Sequence, residues 1–329
     1  MMETATTVYE NLKKTSMPDT VKKITEKYQA LGENPETYLQ GLLQAKPITY
    51  WDYIEVDTLL SLQRPRTNFK DETIFIMYHQ VTELFLKMML HELQQIVTEK
   101  EITANYLIVK LDRINKYTSM LINSFDIMKV GMDYDDYNTF RKALTPASGF
   151  QCAQFRFVEL HCTSLHNLVS NTYKNKISNK PDLQEYLDHI YWKDAGTDPH
   201  TGKKTLTLQL FEEKYLKSIQ EAAQELQGCT LEDRLGELPY IPDALRSRLR
   251  TFDRLYNLEW PLIHLRTAEH YLNKKGERQE ATGGSHWQKY LHPKYQQRKF
   301  FPSLWTKSEI ENWGKINNDQ QINDNIKDL

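Results

Sequence analysis

Apolar residues recur at every third or fourth position along most of the 329-residue chain, a spacing that places them on one face of an α-helix. The spacing of two that is typical of a half-buried β-strand does not prevail. The longest apolar stripe begins at Asp71 and continues through Ile74, Tyr78, Val81 and Phe85, which predicts a long amphipathic helix. Further helices are predicted near residues 106–128, 135–144, 150–170, 206–227 and 242–275.

Few residues that break helices interrupt this pattern. The chain has only 12 glycines and 12 prolines. Asn34 followed by Pro35 is typical of a helix start, because Asn caps the first turn and Pro fits within it. The composition of residues 178–204 predicts a long polar excursion between helices. Residues 306–329 are rich in Asn, Asp, Gln and Lys, which predicts a disordered tail. We therefore predict an all-α fold with one domain over residues 1–305, in which residues 1–47 form short N-terminal helices.

Composition and charge exclude several classes of protein. The chain is 40% hydrophobic and 26% charged, with a net charge of −2, and no basic cluster is interleaved with aromatic residues. Neither a nucleic-acid partner nor a membrane partner is therefore expected. No apolar leader opens the chain and no run reaches the ~20 apolar residues that span a bilayer, so we expect a cytoplasmic protein. Three cysteines without C-x-x-C spacing argue against disulfides and a cysteine-based zinc site.

Common catalytic motifs are also missing from the sequence. There is no G-x-G-x-x-G, H-E-x-x-H or G-x-S-x-G pattern, and the P-loop-like residues 196–204 have the wrong glycine spacing. His161 and His166 are five residues apart, which does not place two metal ligands on one helix face. We expect these two histidines to be solvated or hydrogen-bonded.

The segment YNTFRKALTPASGFQ, residues 137–151, predicts a small-molecule pocket. In a helix, Tyr137, Arg141 and Leu144 share one face. Arg offers a planar fork to a carboxylate, Tyr adds a hydroxyl donor, and Leu packs on an apolar group, so the set suits an amino acid. The alternative is a solvated Arg beside core Tyr and Leu side chains.

Two histidines and a glycine loop add further candidate chemistry. His79 shares a helix face with Phe75, and His264 lies in an apolar segment just after Pro261. A neutral histidine in such surroundings can ligate haem iron, with a second histidine on a facing helix. Either histidine can equally be a core residue bonded to a backbone carbonyl. Thr282 lies beside two glycines, in a loop that can approach a ligand closely or simply be flexible.

Taken together, these segments resemble the tryptophan 2,3-dioxygenase family from about Ile48 to Trp305. The resemblance is carried by ITYWDYIEVDTLL, DETIFIMYHQVTELFLKMMLHEL, YNTFRKALTPASGFQCAQFR, the W-x-x-x-H pattern that ends at His264, and ATGGS. Two departures stand out: position 281 is Ala where the family usually has Gly, and position 85 is Phe where Trp is common.

The resemblance implies a helical bundle that encloses a b-type haem, with His264 as the axial ligand of the iron. It implies that His79 hydrogen-bonds the indole N–H of the substrate and that Phe75 packs on the ring. By the same resemblance, Tyr137 and Arg141 hold the substrate carboxylate.

Three further contacts are implied at the edges of the pocket. Leu144 touches the indole, and Thr282 contacts the carboxylate and ammonium groups of the amino acid. Tyr50 and Tyr53, near the short N-terminal helices, come from a neighbouring subunit of a homotetramer.

The activity that the resemblance implies is insertion of both atoms of O2 across the indole C2–C3 bond of L-tryptophan. The product is N-formyl-L-kynurenine, on the kynurenine pathway of tryptophan catabolism, and the active haem is ferrous. Three alternatives stay open: a related haem enzyme that acts on a modified tryptophan or another aromatic compound, a haem sensor without turnover, and a helical scaffold without cofactor.

Overall fold

Helices dominate the chain, as the periodicity predicted. A computed structural model describes residues 16–198, 201–272 and 291–315. Within these ranges no β-strand forms, and the β-type contacts there are two isolated bridges, Val169 with Ile190 and Thr197 with Lys204. The all-α prediction is therefore confirmed. None of the described helices combines the length and the apolar character needed to cross a bilayer.

The chain divides after Leu62 into two compact units. The first unit contains helices α1 (Met17–Ala30), α2 (Pro35–Gln44), α3 (Tyr50–Tyr53) and α4 (Val56–Leu60). Helix α2 begins as predicted, because the Asn34 side chain accepts a hydrogen bond from the backbone N–H of Glu36 at 3.0 Å. None of these four helices has a buried residue.

The second unit begins at Gln63 and contains the remaining described helices. These are α5 (Asp71–Thr98), α6 (Ala104–Val130), α7 (Tyr134–Phe140), α8 (Ala153–Cys162), α9 (Leu165–Leu168), α10 (Leu183–Asp188), α11 (Tyr191–Ala195), α12 (Leu206–Glu225), α13 (Leu231–Leu235), α14 (Asp243–Arg254), α15 (Trp260–Leu272), α16 (Pro293–Gln296) and α17 (Lys307–Glu311). Short 3-10 turns occur at Arg141–Leu144, Gly149–Gln151 and Pro302–Leu304.

The core of the second unit forms where α5 and α6 pack on each other. Helix α5 also contacts α8, and α6 also contacts α14 and α15. Leu86, Met89, Leu111 and Ile114 are fully buried along this seam. Val81, which the sequence pattern placed on the buried stripe of α5, is instead 45% exposed. The two long helices form the frame on which the shorter helices are placed.

A π-helical turn, Leu255–Glu259, joins α14 to α15. The sequence predicted one uninterrupted helix over residues 242–275. The wider turn changes the angular position of every side chain that follows it, and such turns occur frequently at functional sites. Pro261 comes directly after the first residue of α15, and it has no backbone N–H to donate. His264 therefore lies close to the start of a helix that begins irregularly.

Two other sequence predictions need correction. The helix predicted near 150–170 is broken into α8 and α9, and Glu232 accepts from the Thr163 hydroxyl at 2.7 Å and the Ser164 N–H at 3.2 Å between them. The polar excursion predicted over 178–204 contains α10 and α11, with Tyr191 and Trp192 almost fully buried. Both segments are shaped by contacts with side chains that are distant in sequence. The spacing of apolar residues does not reveal such contacts.

The segment from residue 298 to residue 305 is fastened to α14 by one carboxylate. Asp253, which is fully buried, accepts from the backbone N–H groups of Phe300 at 2.8 Å and Phe301 at 3.2 Å. It also accepts from the indole N–H of Trp305 at 2.8 Å. Buried donors need such an acceptor, so this carboxylate determines where the segment runs.

Residues 306–315 are the part of the predicted tail that the structure describes. They include α17, and Trp313 is buried with its ring 4.9 Å from that of Trp305. Residues 316–329 lie outside the described chain. The assignment of residues 1–305 to one domain stays a prediction.

Candidate active site

One cavity of the second unit brings together most of the predicted site residues. Its volume is about 570 Å³, within the range of about 300–1,000 Å³ that is common for ligand pockets. Helices α5, α7 and α15 and the turn after α7 supply much of its wall. The predicted site residues that line it are Phe75, His79, Tyr137, Arg141, Leu144 and His264.

His79 is held by its own helix. Its Nδ1 lies 2.7 Å from the carbonyl oxygen of Phe75, one turn earlier on α5. A carbonyl only accepts, so Nδ1 carries the proton and Nε2 is the acceptor. The two rings lie 4.2 Å apart. Burial lowers the pKa of His79, against smaller raising effects of Phe75 and Glu83, so the imidazole is neutral at neutral pH.

His264 lies on α15, three residues after Pro261. Its ring packs 5.5 Å from that of Phe125 on α6. The residue is exposed by its accessible surface, and it lines the cavity. Desolvation by the surrounding protein, with a smaller lowering effect of the nearby His79, brings the pKa of His264 to about 4. Both histidines are therefore neutral imidazoles on the wall of one cavity.

The end of α7 places a phenol and a guanidinium on the same wall. Asp133 caps this helix and accepts from two backbone N–H groups, both at 2.9 Å. Arg141 is only 7% exposed. Burial raises the pKa of Tyr137, with a smaller lowering effect of Arg141, so the phenol stays protonated and can donate. The ring of Tyr137 lies 5.9 Å from that of Phe75, and Leu144 closes the 3-10 turn beside them.

A buried charged cluster on the cavity wall was not predicted. Arg156 and Arg298 both line the cavity and both bond the hydroxyl of Tyr191, Arg298 at 2.8 Å. Tyr191 in turn donates to Glu159 at 2.6 Å. Glu159 also pairs with Arg298, and with Arg156 at 3.7 Å. The cluster has two guanidinium groups and one carboxylate, so its formal charge is +1.

The sequence held little signal for this cluster. Arg156 ends one of the segments on which the family resemblance rests, but no spacing rule assigned it a role. Arg298 is 139 residues from Glu159 along the chain, and only the anchoring of its segment by Asp253 brings it there. A pairing of that separation cannot be read from periodicity.

The remaining site predictions have different outcomes. His161 is hydrogen-bonded to the Phe157 carbonyl at 2.7 Å, which is one of the two states expected for it. Thr282 lies outside the described residues. Tyr50 and Tyr53 belong to α3 of the first unit, where they are 71% and 76% exposed.

Comparison with known proteins places the chain in a family. The family model described as tryptophan 2,3-dioxygenase matches residues 40–230 of the chain. A tryptophan 2,3-dioxygenase of Bacillus thuringiensis subsp. konkukian (strain 97-27) is 30% identical over 285 residues, which span 78% of this chain and 91% of that protein. The chain belongs to the tryptophan 2,3-dioxygenase family. A further tryptophan 2,3-dioxygenase, from Ruegeria sp. (strain TM1040), is 27% identical over 272 residues, which span 80% of this chain and 92% of that protein.

Membership in the tryptophan 2,3-dioxygenase family makes the protein an oxidoreductase of the dioxygenase type. The range matched by the family model includes His79, Tyr137, Arg141 and Leu144, and it ends before His264. The family resemblance stated from the sequence motifs is thus confirmed.

Proposed function

We propose that this protein inserts both atoms of O2 across the C2–C3 bond of the indole ring of L-tryptophan. The product is N-formyl-L-kynurenine, the entry compound of the kynurenine pathway of tryptophan catabolism. One observation carries the proposal: a single cavity is lined by a neutral His264, by His79 with Nε2 as an acceptor, and by the donors of Arg141 and Tyr137. Family membership supports the same reaction.

The residues present fit a b-type haem. His264 would hold the iron, because metal binding requires an imidazole nitrogen without a proton and the surrounding protein keeps this ring neutral. Phe125, packed on His264, and Trp260, which also lines the cavity, supply apolar surface for a porphyrin. When bound, a ferrous haem supplies the oxygen-activating chemistry of the reaction.

The cluster of Arg156, Arg298, Glu159 and Tyr191 fits the same cofactor. Haem carries two propionate groups, and guanidinium groups bind carboxylates through charge-assisted hydrogen bonds. Among the described residues, Arg156 and Arg298 share the carboxylate of Glu159, and both line the cavity. A propionate in the cavity would accept hydrogen bonds from these guanidinium groups. We assign Arg156 and Arg298 to holding the haem rather than the amino acid.

The other residues of the cavity orient the substrate. Arg141 and Tyr137 bind the carboxylate of L-tryptophan, because a planar cation and a protonated phenol both donate to it. Phe75 and Leu144 pack on the indole. By the family resemblance, Thr282 contacts the carboxylate and the ammonium group. Holding the ring in one pose near the oxygen is the main contribution of the protein.

His79 places the indole by accepting its N–H. That role needs a neutral ring with the proton on Nδ1, and the Phe75 carbonyl together with burial favours that state. If oxygen attacks the electron-rich ring directly, no proton has to leave the indole nitrogen first. His79 is then an orienting residue rather than a base.

A neighbouring subunit supplies Tyr50 and Tyr53 to complete the pocket in a homotetramer. The exposure of the first unit supports this part of the proposal. Besides these two tyrosines, the side chains of Leu42, Leu43 and Trp51 are 69%, 80% and 57% exposed. So much apolar surface on short helices is typical of a segment that is buried by another chain.

The reaction is tested by incubating haem-loaded protein with L-tryptophan in air and identifying the product by mass spectrometry. We expect N-formyl-L-kynurenine. A hydroxylated tryptophan would indicate monooxygenation, and unchanged tryptophan with a normal haem spectrum would indicate a haem sensor. A protein that takes up no haem would indicate a helical scaffold.

His264→Ala is expected to lose most of its haem, because His264 is the one histidine of α15 among the described residues that line the cavity. Haem content per chain and the haem absorption spectrum measure this. The control is His270→Ala on the same helix, which should keep its haem. Unchanged haem in His264→Ala would contradict the ligand assignment.

Arg141→Ala should weaken L-tryptophan binding roughly ten- to a hundred-fold, because a hydrogen bond to a charged group contributes about 1.5–3 kcal/mol. Arg141→Lys should restore only part of the affinity, since an ammonium cannot reproduce the planar fork. Calorimetric titration gives the affinities, with Lys142→Ala as the exposed control. Arg141→Ala with wild-type affinity for L-tryptophan would rule out the carboxylate contact.

His79→Ser should keep its haem and retain measurable turnover. Loss of one neutral hydrogen bond lowers the rate about tenfold, whereas removal of a general base commonly lowers it about 10²–10⁴-fold. It should also discriminate less against tryptophan methylated on the indole nitrogen. Turnover of both substrates is compared with that of wild type and of His91→Ala, an exposed histidine of α5. Complete loss of turnover with haem and tryptophan binding intact would favour a base.

Tyr53→Ala subunits should be rescued by Arg141→Ala subunits when the two are co-expressed, because a mixed oligomer contains some sites with both wild-type groups. Turnover of the mixture, compared with each variant alone and with Tyr240→Ala, measures the rescue. A fully active monomer would contradict the contribution from a neighbour.

A further inference from the structure

Asn138 lies between the two residues that bind the substrate carboxylate, one position after Tyr137 and three before Arg141. Its side-chain amide makes hydrogen bonds in two directions. The Nδ2 group donates to the carbonyl oxygen of Tyr134 at 3.1 Å and to that of Tyr271 at 3.3 Å. The Oδ1 atom accepts from Nε of Arg141 at 3.2 Å. The sequence motifs assigned no role to this residue.

The neighbours of Asn138 determine which way its amide points. Carbonyl oxygens only accept, and the guanidinium group of Arg141 only donates. A flipped amide would place its oxygen against two carbonyl oxygens and its NH2 group against a donor, which would lose all three hydrogen bonds. The orientation with Oδ1 toward Arg141 is therefore fixed by chemistry.

The bond to Nε sets the plane of the Arg141 guanidinium. This group is planar and rigid, so one bond to Nε restricts the directions in which its two terminal nitrogens point. A long side chain otherwise loses rotamer entropy when a ligand immobilises it. Arg141 borders the cavity and is 7% exposed, so an orientation that is fixed in advance benefits a carboxylate in the cavity.

Asn138 also ties this arginine to the helix that carries His264. Its second acceptor, the carbonyl of Tyr271, belongs to α15, seven residues after His264. Tyr271 is fixed in turn, because its ring lies 4.3 Å from that of Tyr137 and its hydroxyl donates to the carbonyl of Met128. The amide thus connects α7 to α15 at the point where the arginine enters the cavity.

We propose that Asn138 is a positioning residue that aims the Arg141 guanidinium at the carboxylate of the substrate and thereby selects α-amino acids over amines with the same ring. The proposal rests on the proposed function of Arg141 as the carboxylate-binding residue. Asn138 itself acts through Arg141 and through its bonds to Tyr134 and Tyr271.

The test compares L-tryptophan with tryptamine, which has the same indole and ammonium groups but no carboxylate. Asn138→Leu removes all three hydrogen bonds with a side chain of similar size. Calorimetric titration of the haem-loaded protein should give a dissociation constant for L-tryptophan that rises roughly tenfold, the order expected for lost hydrogen bonds, and an unchanged constant for tryptamine. The matched control is Thr139→Val on the exposed side of α7, whose hydroxyl bonds only within its helix, to Asp135 at 2.8 Å.

If Asn138→Leu binds both ligands more weakly by the same factor, Asn138 has a general structural role and the proposal is overturned. Unchanged dissociation constants for both ligands would also overturn it. If this variant does not fold, Asn138→Asp replaces it. That variant keeps the acceptor for Arg141, loses the donors to Tyr134 and Tyr271, and adds a charge that competes with the substrate carboxylate. It should weaken the binding of L-tryptophan much more than the binding of tryptamine. Equal effects on the two dissociation constants would again overturn the proposal.

The same titrations separate this proposal from the proposed function. Wild-type protein that binds tryptamine as well as L-tryptophan would overturn the role of Arg141. Wild-type protein that prefers L-tryptophan, together with an Asn138→Leu variant that keeps the full preference, would overturn the role of Asn138 alone.

Discussion

The contacts of Tyr271 determine where the helix that carries His264 meets the part of the cavity that contains Arg141. The Tyr271 ring lies 4.3 Å from that of Tyr137, its hydroxyl donates to a carbonyl of α6, and its own carbonyl accepts from Asn138 of α7. Burial raises the pKa of this phenol to about 12, so it remains a donor at neutral pH. Three helices are thereby joined at one residue, and the geometry between histidine and arginine is set before any ligand binds.

The charged residues that line the cavity form two groups with different hydrogen-bond partners. Arg141 keeps its own bonds to α7, while Arg156 and Arg298 share Glu159 and Tyr191. These are two separate cationic groups, and we propose that the first binds the carboxylate of an amino acid and the second the propionates of a haem. The histidines contribute no charge, because burial lowers the pKa of both rings. A neutral ring can ligate iron or accept an N–H, and a protonated one can do neither.

The sequence predicted what depends on local pattern. Periodicity found the long helices, and Asn34 marked the start of α2 as the structure has it. Spacing placed Arg141 and Tyr137 together, and both line the cavity with His79 and His264. The break before α9, the π turn before α15 and the packing of Arg298 on Glu159 were missed. The first and the last of these involve partners far away in the chain, Glu232 and Asp253, which no local pattern reveals.

We propose that the site aims both atoms of one O2 molecule at the indole ring. Turnover of L-tryptophan by haem-loaded protein under ¹⁸O2, with the product analysed at once by mass spectrometry, tests it most directly. We expect N-formyl-L-kynurenine that carries two heavy oxygen atoms from the gas. A product with a single heavy atom, the second oxygen coming from water, would contradict it.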